Sequence, residues 1–366
     1  MLKHAMQFVF IILIMTLGGC TQVCVEQGIK PIFLPNFLFG GIISEPYDKR
    51  WSEEGGLKYF IDKAESWDSD ALGFPAGSEN HYKVFDDNGH QQLLHYITVP
   101  QETLLHPSPK GTVIYLAGWG GYWSDLTFDD IGYRDLIDNL RQDGYALLLV
   151  DLRGHGLSEA SIPYKAASTY GDRDVSDLTL LLNDIGDELA RPLLTVGHSY
   201  GASAGTLLAI KNPDVVASVN LAGLSTIDNV MQSVRGAAMQ INQSPDLNLV
   251  SDSTLALLDF CEAQTGFLDA LLSKAESDYN FDRNGSDITK LSSDALDVPM
   301  LLVGATKDTN VPIENLYQIK DSRSGSDVVR VIVYEDCNHV SFLNKGTLLT
   351  QVSLFLNAVV SGNTPP

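Results

Sequence analysis

The chain has 366 residues, 44% of them hydrophobic, with 46 acidic against 24 basic side chains and four cysteines. Such a composition can bury a sizeable core, as one large α/β unit or roughly two domains, and excludes disordered and collagen-like chains. A net charge of −22 repels a phosphate backbone and forgoes the counterion release that drives nucleic-acid binding, so no nucleic-acid partner is expected, and an anionic membrane surface repels the chain as well.

Lys3 and the apolar run Phe8 to Met15 read as the charged and hydrophobic parts of a signal peptide. The run is far short of the ~20 residues that a spanning helix needs. It ends in Leu17-Gly18-Gly19-Cys20, which resembles the bacterial lipobox. That resemblance implies removal of residues 1–19 and lipidation of Cys20, and hence a protein of the bacterial cell envelope, outside the cytoplasm, held at a membrane by its lipid anchor. An ordinary secretory signal with a coincidental cysteine is the alternative. Removing residues 1–19 takes away only Lys3 among the Asp, Glu, Lys and Arg side chains, so the acyl chains would have to hold without help from surface charge. With Cys20 assigned, Cys24, Cys261 and Cys337 would meet an oxidising compartment with one disulfide and one thiol. Cys261 with Cys337 is the preferred pair; three free, partly buried thiols are the alternative. No Cys-x-x-Cys or His-x-x-x-His spacing points to a metal, and no cofactor is expected.

Residues 20–80 read as an anchor linker and an N-terminal extension, with a helix around Glu53 to Glu65. Two β-rich runs follow, His81 to Phe85 and Leu93 to Val99, joined by Asp86-Asp87-Asn88-Gly89 as a hairpin. Thr112 to Leu116, Tyr145 to Val150, Leu193 to Val196, Val215 to Leu221, Met300 to Val303 and Val329 to Val333 continue as short apolar strands. Their lack of a polar face fits a mostly parallel sheet flanked by helices on both sides. The core is therefore expected in two parts, 81–222 and 296–366, the latter with a frayed tail from Ser361. Between them, 223–295 is too long for a structureless loop. Ile227, Val230, Met231, Val234 and Ala238, and again Leu268, Leu271 and Leu272, recur at helical spacing, which predicts a helical cap.

Gly197-His198-Ser199-Tyr200-Gly201 lies between the strand Leu193 to Val196 and a helix expected near Ala202. A serine on that sharp turn needs a strained backbone, and Gly197 and Gly201 leave room for neighbouring main chain. The pentapeptide alone is a weak signal in a chain with 31 glycines, so context decides. A serine hydroxyl needs a base in reach, and the base needs an acid to fix its tautomer. Of eight histidines, only His339 follows Ser199, directly beyond the strand Val329 to Val333. The developing oxyanion needs amide donors. The N–H of Tyr200 sits at a helix N-terminus, and the loop Ala117-Gly118-Trp119-Gly120-Gly121 offers Trp119 as the second donor.

Together with the elbow, Asp151-Leu152-Arg153-Gly154-His155-Gly156-Leu157-Ser158 resembles the D-x-R-G-H-G-x-S segment of the α/β-hydrolase superfamily, and the likeness runs over about 81–360. The resemblance implies an α/β-hydrolase fold and the chain order nucleophile, acid, histidine. It implies Asp308, after the strand Met300 to Val303, as the acid, with Asp228 as the alternative. His155 is then structural, shaping the loop beside the site. Ala117 departs from the family's H-G-x-G loop, which carries histidine there. Ser199 in place of an aspartate argues against dehalogenase and epoxide hydrolase chemistry. The expected activity is hydrolysis of a small-molecule acyl substrate, most simply a carboxylic ester, as an esterase or lipase. An aminopeptidase-like amide hydrolase, a cofactor-free perhydrolase and a non-catalytic envelope binding protein on the same fold stay open, and neither substrate nor oligomeric state is legible.

Overall fold

The computed structural model describes residues 57–66, 73–87, 90–118, 123, 132–158, 171–229, 269–270, 272–273, 276–277, 282–291, 298–323 and 328–365. The signal peptide, Cys20, Cys24, Cys261, Trp119 and most of the expected cap lie outside them.

Strands β1 (Glu79–Asp87) and β2 (His90–Val99) form the expected hairpin, with Asp87 opposite His90. Strands β3 (Thr112–Leu116), β4 (Ala146–Val150), β5 (Leu193–His198), β6 (Val215–Leu221), β7 (Met300–Ala305) and β8 (Val329–Tyr334) follow. All join one eight-stranded sheet in the order β1-β2-β4-β3-β5-β6-β7-β8. β2 runs antiparallel to β4, and every later pairing is parallel. The fully described helices are α1 (Leu57–Glu65), α2 (Tyr133–Gln142), α3 (Asp172–Ile185), α4 (Tyr200–Lys211), the short α5 (Ile288–Leu291), α6 (Glu314–Ser322) and α7 (Gly346–Val360).

Successive strand residues point to opposite faces, and here both faces are covered. Leu147 and Leu149 of β4 pack with Val113, Tyr115, the α2 stripe and Leu348 and Val352 of α7. Leu148 and Val150 pack on the other side with Ile114, Leu116, Leu178 of α3 and Leu207 of α4. Each such leucine contributes ~1.5–3 kcal/mol by leaving water. Helix α2 follows the same logic: Tyr133, Leu136, Ile137 and Leu140 are buried at the i, i+3, i+4, i+7 spacing of one helical face. Helix α4 is buried on all sides from Tyr200 to Ile210, and it begins at Tyr200, two residues ahead of the expected Ala202, because the turn before it is a single residue.

Within the expected cap, Ile227, Leu272 and Ile288 are buried in the core on the α3 and α4 side, while Val230, Met231, Val234, Ala238, Leu268 and Leu271 fall outside the described residues. Cys337 is a buried free thiol, so the preferred Cys261–Cys337 disulfide is not made. The spacing had offered no geometric warrant for that pair.

Candidate active site

β5 ends at His198 and α4 opens at Tyr200, so Ser199 alone makes the turn, with φ 54 and ψ −119. A non-glycine residue there is strained by about 1–3 kcal/mol and persists only where its surroundings hold it. They do: the Ser199 N–H donates to Leu221 O of β6 at 2.8 Å, and Ser199 O accepts from Ala202 N at 3.0 Å. A Cβ on Gly197 would stand 2.6 Å from Ala202 N, and one on Gly201 would stand 2.5 Å from the Leu116 carbonyl carbon, so only glycine fits either place.

β5, β6, β7 and β8 run parallel, so the segments leaving their carboxyl ends gather at one edge of the sheet. There Asp308, beyond β7, meets His339, beyond β8, with Asp308 Oδ2 2.7 Å from His339 Nδ1. Both side chains are buried. Asp308 Oδ1 takes the N–H groups of Asn310 at 2.9 Å and Val311 at 2.8 Å, so neither oxygen can turn away from its task. A carboxylate at Nδ1 fixes the proton on that nitrogen and leaves Nε2 as the basic one. Asp228, the alternative acid, is instead 40% exposed and paired with the Arg283 guanidinium.

The loop after β3 reaches the same place. A Cβ on Gly118 would lie 3.3 Å from the Ser199 Cβ and 3.1 Å from His198 Nδ1. The Gly118 N–H is already committed to Tyr133 Oη at 3.1 Å. Trp119, the expected second donor, lies outside the described residues. Tyr200 opens α4, where first-turn amides and the helix dipole favour an anion. Such an arrangement can activate a hydroxyl and stabilise an oxyanion. Among the described residues no group of three His, Cys, Asp or Glu could hold a metal ion, and no helix is long and apolar enough to cross a membrane.

Residues 113–348 match the Alpha/beta hydrolase family, well over half of the chain. The chain belongs to that family. No curated protein matches this α/β hydrolase. Among solved structures, it resembles an esterase from Pyrococcus furiosus at 18% identity, with a TM-score of 0.54 over 80% of this chain and 94% of the esterase. A 2,6-dihydroxy-pseudo-oxynicotine hydrolase is similar at 15% identity, with a TM-score of 0.52 over 85% of this chain and 74% of the other. A puromycin hydrolase mutant is similar at 17% identity, with a TM-score of 0.54 over 78% of this chain but only 40% of the other. At these identities the likeness is one of fold.

The hydrolase's Asp151 to Ser158 segment is pinned residue by residue. Asp151 Oδ1 accepts the Trp123 N–H at 2.5 Å, and its Oδ2 accepts the Leu157 N–H at 3.1 Å and faces His95 Nδ1 at 2.9 Å. Ser158 Oγ donates to Asp151 O at 2.5 Å, and Arg153 grips Asp177 through two bonds of 2.8 and 2.6 Å. His155 is buried beside Tyr200, its Nδ1 donating to Arg153 O at 2.9 Å, and burial lowers its pKa. Two residues of the site escaped sequence reasoning. His198 and Tyr133 sit behind Ser199, with Tyr133 Oη 2.7 Å from His198 Nδ1 and His198 Nε2 2.9 Å from His339 O. His198 carries a signal, a histidine next to the nucleophile; Tyr133 looks like any other member of an apolar helical stripe.

Proposed function

We propose that this α/β hydrolase is a serine hydrolase of the bacterial envelope that cleaves a carboxylic ester through an acyl-enzyme on Ser199. The observation that carries the reading is the Asp308–His339 hydrogen bond at the sheet edge where Ser199 makes its strained turn. Ser199 Oγ attacks the ester carbonyl carbon while His339 Nε2 takes its proton. Asp308 stabilises the resulting imidazolium. The N–H groups of Tyr200 and Trp119 receive the oxyanion, which collapses to expel the alcohol, protonated by His339. Water, deprotonated by the same imidazole, then releases the acid and restores Ser199. The signal peptide 1–19 and lipidation at Cys20 bring the enzyme to the envelope membrane, and the 223–295 segment covers the pocket as a cap.

The test is a fluorophosphonate probe with a panel of p-nitrophenyl esters of increasing acyl length, run beside aminoacyl-p-nitroanilides. Ester turnover with probe label on Ser199 is the expected result. Preferential cleavage of the anilides would move the reading to an amide hydrolase, and ester turnover undiminished in Ser199→Ala would end it.

A further inference from the structure

We propose that Tyr133 and His198 are positioning residues that lock the loop after β3 to the loop bearing His339, and so set the spacing between the oxyanion donors and the general base. This rests on the serine hydrolase reading above. Tyr133 Oη accepts the Gly118 N–H at 3.1 Å and lies 2.7 Å from His198 Nδ1. His198 Nε2 lies 2.9 Å from the backbone oxygen of His339. A carbonyl oxygen only accepts, so His198 carries its proton on Nε2 and turns the lone pair of Nδ1 to the Tyr133 hydroxyl. The direction of every bond in the chain is thereby determined, from Gly118 N–H through Tyr133 O–H and His198 N–H to His339 O.

This chain meets the reaction machinery at three places. Gly118 precedes Trp119, His198 precedes Ser199, and the accepting oxygen belongs to His339 itself. Asp308 orients the His339 ring; His198 holds its backbone, reaching from β5 to the loop beyond β8 past two intervening strands. Tyr133 and His198 are buried, and burying a hydroxyl and an imidazole costs solvation that an apolar pair of the same size would not lose. Direction is what the polar pair adds, because a hydrogen bond fixes distance and angle where apolar packing tolerates sliding. Burial first, and then the neighbouring His339, push the His198 pKa down to about 3. His198 therefore stays neutral, with its tautomer unchanged, while His339 gains and loses a proton in each cycle.

The experiment compares Tyr133→Phe, His198→Asn and His198→Gln with the unaltered protein and with Ser199→Ala. Ester turnover is expressed per fluorophosphonate-titrated site in the proteins that keep Ser199, so that unfolded molecules do not count, and per mole of folded protein in Ser199→Ala. Tyr133→Phe removes a single oxygen and keeps a ring against Tyr115 and Trp123. The asparagine amide reaches only the Nδ1 position, whereas the glutamine amide reaches the Nε2 position and can donate to His339 O. Small displacements of catalytic groups are costly, so kcat per titrated site should fall ~10- to 100-fold in Tyr133→Phe and His198→Asn, with KM within about threefold. His198→Gln, which restores the donor to His339 O but not the Nδ1 acceptor for Tyr133, should lose less than His198→Asn. Turnover within about twofold of the unaltered protein in both Tyr133→Phe and His198→Asn overturns the proposal, as does an equal loss in the Gln and Asn variants. Turnover that survives Ser199→Ala would instead sink the serine hydrolase reading, and this proposal with it.

Discussion

Asp308 Oδ2 lies 2.7 Å from His339 Nδ1, although the two residues are 31 positions apart and leave different strands. The other oxygen of the same carboxylate is held by the amides of Asn310 and Val311. His339 thus meets an acid that cannot rotate away, whereas Asp228 spends its charge on Arg283 at the surface.

Asp308→Asn should lower kcat for an ester by roughly 10³- to 10⁴-fold, because an amide at this place favours the wrong imidazole tautomer. Asp228→Asn should change it by less than about threefold, since its partner is not part of the proposed chemistry. Steady-state kinetics on the two variants decide, and the reverse ranking would relocate the acid.

The strain at Ser199 has a measurable counterpart. Ser199→Gly should abolish hydrolysis yet stabilise the fold by about 1–3 kcal/mol, because φ 54 with ψ −119 is costly for serine and open to glycine. Gly197→Ala should do the opposite and destabilise by about 3 kcal/mol or more, since its Cβ would press on the Ala202 nitrogen at 2.6 Å. Thermal unfolding of both variants gives the answer; a Ser199→Gly protein that melts below the parent would contradict the strain.

Acid should weaken the fold through His198. Its folded pKa of about 3 lies below the ordinary imidazole value of 6.5 that it regains on unfolding, so between those limits the unfolded chain binds a proton that the native state refuses. Stability therefore falls as pH drops through that window, by about 1.4 kcal/mol per pH unit from this one group. The pKa of buried His155 is lowered too, by desolvation, and adds to the same slope. Urea unfolding of the parent and of His198→Gln at about pH 7 and about pH 5 should show the smaller loss in the variant. Equal losses would mean that His198 titrates normally.

The proposed lipidation rests on one thiol, that of Cys20. Cys20→Ser should leave the protein without acyl chains and shift it from the membrane pellet to the soluble fraction. If the variant stays in the pellet through a high-salt wash, another element is the anchor.

The sequence by itself determined what is local or written in unbroken patterns. The apolar runs with no polar face were enough for a covered parallel sheet, and Asp86-Asp87-Asn88-Gly89 for the opening hairpin, because alternation and turn chemistry act between neighbouring residues. The elbow was legible for the same reason, and His339 by elimination, since no other histidine follows Ser199. Only the tertiary structure decided which carboxylate meets His339, for a chain with 46 acidic residues offers many and spacing along the chain ranks them poorly. Only the tertiary structure, likewise, revealed Tyr133 and His198 as a bridge and left Cys337 a lone thiol. Tyr133 reads in sequence as one more apolar position on α2, and its hydroxyl acquires meaning when α2 docks against the ends of β3 and β5. Hydrogen bonds act over about 3 Å, so their partners are chosen by how the parallel strands bring distant loops to one edge, and that choice is made by the packed sheet as a whole.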